Sequence, residues 1–148
     1  MAQLLSVRRC SRMEPILAAK QEIHVGKPTV IEAPSPDGQL GVVFEDDGTT
    51  GYFYALDSKS GEQPIVDALH IYSVEGVTDR HLPSFAHILW TRDGSKACLI
   101  INRYPHAVFD FSAKRGYSRD MFPEPASGSQ WTHHPWDDSL RAHFFTQK

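Results

Sequence analysis

The chain has 148 residues, 41% of them apolar and 22% charged, with a formal charge of −3. That length fits one domain, and the balance excludes a disordered chain. No apolar run approaches the roughly 20 residues that a spanning helix needs, so no membrane role is expected. Two cysteines, Cys10 and Cys98, are too few for a disulfide framework and read as free thiols in a reducing compartment, which points to the cytoplasm.

Residues 1–13 stand apart. They hold Arg8, Arg9 and Arg12 and no acid. They read as a basic arm, either disordered or a misassigned start with Met13 as the true initiator. Without those three arginines the net charge falls from −3 to −6. Residues 14–148 then form a single, acidic, β-rich domain. Such a domain lacks the basic stripe of a nucleic-acid reader and suits a basic protein partner steered by charge.

In chain order, Glu14-Pro15 predicts the start of a short helix, since proline is tolerated in a first turn. A strand follows at 29–32, ended by Pro34-Ser-Pro36-Asp-Gly38. The next feature is an internal repeat. Phe44-Glu-Asp-Asp-Gly48-Thr-Thr-Gly-Tyr-Phe-Tyr54 aligns without a gap on Trp90-Thr-Arg-Asp-Gly94-Ser-Lys-Ala-Cys-Leu-Ile100. Asp47-Gly48 and Asp93-Gly94 predict two-residue hairpin turns, in which glycine takes the positive φ at little cost. Those turns set Phe44 opposite Gly51 and Trp90 opposite Ala97, an aromatic shielding a small residue in each copy.

Each hairpin leads into a third β-like run, at 64–74 and at 106–111. The expected fold is therefore mainly β, with a minor α part. Two three-stranded antiparallel meanders form one curved sheet, a sandwich or a partial barrel. Leu99-Ile100-Ile101 does not alternate and predicts a strand covered on both faces. Residues 112–130, with Gly116, Pro123, Pro125 and Gly128, read as a long surface loop. Trp136, Leu140 and Phe144 recur at helical spacing, although Leu140, Ala142 and Phe144 also alternate; a short helix is preferred.

Catalytic signatures are missing: no nucleophile elbow, no dinucleotide or phosphate-binding glycine loop, and no metal-ligand spacing. No cofactor or metal is expected. What stands out is an aspartate and a histidine in each third run, Asp67 with His70 and His106 with Asp110. On a strand His106 and Asp110 share a face, whereas Asp67 and His70 do so only if a bulge intervenes. If the chain is an enzyme, these four would supply a general base and its partner; otherwise they satisfy backbone donors at bends. His133-His134-Pro-Trp-Asp137 suggests a site only by composition. Cys98, inside a strand, reads as a packed hydrophobe rather than a nucleophile.

A second set reads as partner-binding. Tyr52 and Tyr54 flank Phe53 and share the opposite face, where Tyr72 can join them. Arg115 and Tyr117, in Lys114-Arg115-Gly-Tyr117-Ser-Arg119, suit a phosphate or an acidic surface.

Gly51-Tyr-Phe-Tyr-Ala-Leu-Asp57, Asp67-Ala-Leu-His-Ile-Tyr72, Lys96-Ala-Cys-Leu-Ile-Ile-Asn102 and His106-Ala-Val-Phe-Asp-Phe111, with Arg115-Gly-Tyr117, resemble a bacterial domain-of-unknown-function family, DUF2251. The resemblance covers roughly residues 20 to 145. It implies a bacterial cytosolic origin and brings no activity, cofactor or catalytic residues. In general character the chain is also similar to immunity proteins, which bind and block a toxin. The leading expectation is a non-enzymatic protein-binding module, in its sharpest form an immunity-type inhibitor of a basic toxin. The alternatives are a hydrolase using the Asp/His residues and a structural homodimer.

Overall fold

The computed structural model describes residues 14–61 and 64–144. The basic arm, with Cys10 and Met13, lies outside the described residues. Ten strands run in chain order: β1 (Ile16–Ile23), β2 (Thr29–Pro34), β3 (Leu40–Asp46), β4 (Thr50–Asp57), β5 (Ile65–Ser73), β6 (Ser84–Trp90), β7 (Lys96–Ile101), β8 (Tyr104–Asp110), β9 (Arg115–Ser118) and β10 (Thr132–Pro135). A 3-10 turn over Asp138–Leu140 leads into α1 (Arg141–Phe144).

The strands form two sheets. One has six strands in the order β1-β6-β7-β8-β9-β10, the other four in the order β2-β3-β4-β5. Both expected meanders are present, β3-β4-β5 and β6-β7-β8, one in each sheet. The arrangement is a sandwich, with one core cluster drawn from both inner faces: Phe44, Phe53 and Leu69 from the smaller sheet, Ile88, Trp90, Leu99 and Phe109 from the larger. Phe53 and Phe109 stack across the gap with ring centroids 5.1 Å apart. The Trp90 indole N–H donates to the Ala33 carbonyl at 3.0 Å, tying β6 to β2.

The two Asp-Gly hairpins differ in register. Trp90 lies opposite Ala97, as the sequence predicts, around a four-residue turn held by Thr91 N–H to Lys96 O at 2.9 Å. In the first hairpin Phe44 lies opposite Phe53, and Gly51 faces Asp46. The turn there is centred on Gly48-Thr49, one residue later than expected, because the Asp46 carboxylate takes the Gly48 N–H at 2.8 Å and Asp47 N–H pairs with Thr50 O. Moving a turn by one residue shifts the pairing by two, and a shift of two leaves every side chain on its original face. The shield over Gly51 is consequently Tyr72, whose ring carbon Cζ would lie 2.8 Å from a Cβ added there.

Three local expectations change. Residues 16–23, expected to open as a helix after Pro15, form β1 and pair antiparallel with β6, with a bulge between Leu17 and Ala19. The predicted loop at 112–130 contains β9, and β10 pairs with it in parallel. Among the described residues the terminal helix runs over 138–144, starting after Trp136, with Asp137 capping it by accepting from Ser139 N–H.

The outer faces of the sheets are treated differently. The larger sheet's outer face is closed by the chain's end: Leu140 and Phe144 pack on Cys98, Ile100 and Val108, with Trp136 and Tyr117 alongside. β7 is thus buried on both faces, as its unbroken apolar run predicts. The described residues contain no helix long and apolar enough to cross a membrane.

Candidate functional site

The smaller sheet's strands carry no lysine or arginine. Alternation sends Ile31, Val42, Phe44, Phe53 and Leu69 inward, and leaves Val30, Glu32, Val43, Glu45, Tyr52, Tyr54 and Leu56 on the outer face. Tyr52 and Tyr54 stack there, with centroids 5.9 Å apart and planes 15° from parallel. Burial, followed by the Glu45 carboxylate, raises the Tyr54 phenol above its ordinary value. At one end the face sinks into a shallow depression of about 290 Å³, lined among others by Glu32, Pro34, Gly41, Val43 and Leu56.

Tyr72 is not part of this face. A bulge in β5 sets Gly51 opposite Tyr72 and Tyr52 opposite His70, skipping Ile71. Tyr72 turns inward against Phe44, and its hydroxyl donates to Asp46 Oδ2 at 2.7 Å. Burial raises its phenol, and the hydrogen bond to Asp46 adds to that. Asp46, 2% exposed, also accepts the Gly26 and Gly48 N–H groups, so it knots three segments together. Arg115 and Tyr117 lie in the other sheet: both border an open hollow with His134 and Trp136, and the Tyr117 ring is 5.4 Å from that of His134. The five residues read as partner-binding therefore occupy three places: Tyr52 with Tyr54, Tyr72 alone, and Arg115 with Tyr117.

The four Asp/His residues do not meet each other either. Asp67 points inward from β5 to His133 on β10, with Nε2 at 2.9 and 2.8 Å from its two oxygens and both side chains 3% exposed. His133 Nδ1 lies 3.1 Å from the Met121 carbonyl, which can only accept, so Nδ1 bears a hydrogen. One proton is then held between Nε2 and the carboxyl. Burial pushes the Asp67 carboxyl above the ordinary aspartate range, opposed by the hydrogen bond to His133. The pair joins the two sheets along one edge, in space left by Gly116, where a Cβ would lie 3.1 Å from Asp67 Oδ2.

His70 points outward instead. Its Nδ1 lies 2.8 Å from Asp120 Oδ2 and its Nε2 3.1 Å from Ser73 Oγ. The Tyr52 and Phe122 rings meet it edge-on at 5.5 and 5.9 Å. In the larger sheet, His106 is desolvated, lies near the Arg119 charge, and has its pKa lowered to about 4. Asp110 accepts the Ala113 N–H at 3.1 Å and closes the β8–β9 turn. Both true partners, Asp120 and His133, come from the stretch beyond residue 112. No local pattern announces them, since they lie 50 and 66 positions from His70 and Asp67. The Cys98 thiol is buried and pushed up in pKa, which leaves it unsuited to nucleophilic attack. Among the described residues no three His, Cys, Asp or Glu side chains are grouped as a metal site requires.

A family model described as "Uncharacterized protein conserved in bacteria (DUF2251)" matches residues 23–145. An uncharacterized protein of Haemophilus influenzae is 44% identical over 117 residues, which cover 78% of this chain and 73% of that protein. No solved structure matches.

Proposed function

For a chain that belongs to the DUF2251 family of bacterial proteins, we propose a protein-docking function: the outer face of the four-stranded sheet binds a basic protein, in the manner of an immunity-type inhibitor blocking a toxin. The observation that supports this reading is the make-up of the face itself. It combines the stacked Tyr52 and Tyr54, the apolar Val30 and Val43, and the carboxylates of Glu32 and Glu45, with no cation on its strands. Aromatic residues supply contact area at low entropic cost, and acidic neighbours steer a basic partner and set its register. The depression lined by Gly41, Val43 and Leu56 would accept the aliphatic stem of a partner's lysine or arginine, with Glu32 in the same lining to meet the charged tip.

The test is titration against proteins encoded beside this gene, each purified and added singly. Expected is one basic partner whose affinity falls with added salt and drops at least about tenfold in Tyr54→Ala and in Glu45→Lys. A partner held equally well by those variants overturns the reading, as does the absence of binding by every neighbour. Self-association that Tyr54→Ala abolishes would assign the face to a homodimer instead.

A further inference from the structure

We propose that Ser73, His70 and Asp120 form an acyl-transfer site that cleaves carboxylic esters, a function beyond docking and independent of it. Two residues three apart on a regular strand face opposite ways. Here the bulge at Ile71 inserts one extra residue, and Ser73 is brought back to the side of His70. Ser73 precedes the 3-10 turn Val74–Gly76 at the position where a serine ordinarily caps, yet its hydroxyl makes no cap bond. It is bonded to His70 Nε2 at 3.1 Å instead.

The atoms are joined in the order that general-base catalysis needs. The Asp120 carboxylate can only accept, so His70 Nδ1 holds the hydrogen between them, and Nε2 of the neutral ring is left to accept from Ser73. Asp120 is itself fixed, because its Oδ1 takes the Phe122 N–H at 3.0 Å. The Phe122 carbonyl in turn receives the His70 backbone N–H at 2.7 Å. The loop bearing the carboxylate is thereby pinned to the residue whose ring it orients. Tyr52 and Phe122 hold that ring from two sides, and Ser73 is exposed to solvent.

In the reaction, the Ser73 oxygen forms a bond to the ester carbonyl carbon while its proton passes to His70 Nε2. The bond to the leaving oxygen breaks, and that oxygen takes the proton and departs as an alcohol. Water repeats the sequence on the acyl-serine, releasing the acid and restoring the hydroxyl. The Val74 N–H, next to the nucleophile, is committed to Thr49 O at 2.8 Å and does not serve an oxyanion. Donors to the oxyanion ordinarily supply the largest share of such catalysis. The site therefore favours activated esters, and covalent capture of Ser73 is its most sensitive readout.

The experiment exposes the isolated chain to a fluorophosphonate and maps the adduct by mass spectrometry. Expected is a single adduct on Ser73, absent in Ser73→Ala and formed about a hundredfold more slowly in His70→Gln. Asp120 is a positioning residue: Asp120→Asn should slow capture, and Asp120→Glu, which keeps the carboxylate, should restore part of it. Unfolding midpoints recorded for each variant separate lost chemistry from lost fold; should His70→Gln unfold, the exposed Asp120 pair carries the comparison. No adduct on Ser73, or a rate indifferent to His70 and Asp120, overturns the proposal. Capture is read on the isolated chain and docking by titration of a partner, so failure here and failure of docking are read separately.

Discussion

The two sheets each contain one Asp-Gly hairpin and differ in how their outer faces are treated. The six-stranded sheet is covered outside by Trp136, Leu140 and Phe144, so β7 is apolar on both faces. The four-stranded sheet keeps a one-sided pattern, with buried and half-exposed residues alternating through β3 and β4. Similar Asp-Gly hairpins thus stand in one sheet that is covered outside and in another whose outer side chains stay half-exposed. What separates them is neither hairpin but the segment that follows the second meander: Trp136, Leu140 and Phe144 pack on the larger sheet's outer face, while Asp120 and Phe122 reach the smaller sheet at the His70 edge.

The largest effects should come from stripping the covered side or opening the edge between the sheets. Phe144→Ala removes a side chain that is 2% exposed and should cost about 3–5 kcal/mol in urea unfolding. A loss under about 1 kcal/mol would mean that the terminal helix does not hold the larger sheet's outer face. Asp67→Ala leaves His133 buried with no carboxylate, and a similar loss of about 3–5 kcal/mol is expected. Replacing both Asp67 and His133 by leucine should recover part of it. If the double variant is no better than the single, the edge depends on that pair's geometry rather than on its charge balance.

Acid should act on the larger sheet through His106. Its folded pKa, about 4, lies below the ordinary 6.5. The unfolded chain therefore binds the proton first, and stability present above pH 6.5 is lost as pH falls towards 4. The whole interval is worth roughly 3 kcal/mol. His106→Phe should flatten that part of the pH–stability curve, and an unchanged slope would remove His106 as its source. The smallest effect belongs to the open face. Tyr54→Ala should change stability by under about 1 kcal/mol while weakening partner binding; a Tyr54→Ala chain as unstable as Phe144→Ala would erase the contrast between the sheets.

The meanders were legible because alternation and Asp-Gly turns are local signals, and Trp90 opposite Ala97 followed from them directly. The first hairpin's two-residue shift was not legible. It depends on the Asp46 carboxylate reaching Gly48 N–H while held by Tyr72 and Gly26. Residues 16–23 hold good helix formers, Leu17, Ala18, Ala19, Lys20 and Gln21, and pairing with β6 overrides that propensity. At the candidate site, Tyr52 and Tyr54 could be placed on one face from period alone. Asp120 and His133 could not be assigned to His70 and Asp67, since each meets its partner only once β5 lies beside β9 and β10. The bulge at Ile71, which decides what Ser73 touches, has no sequence marker that a single chain provides.

One consequence of the strand order concerns time. β1 leaves the ribosome well before β6, yet β6 is its partner, with Ile16 opposite Trp90 and Ile23 opposite Ser84. In between, β2 to β5 can zip together as neighbours in sequence and complete the smaller sheet. β1 must wait beside that finished half with the backbone groups that pair with β6 unmatched until the second meander arrives. Pairings of such long sequence separation close slowly. A strand made before the smaller sheet is thus secured only after it, and a nascent chain halted before β6 would expose that strand to chaperones and to other copies of itself.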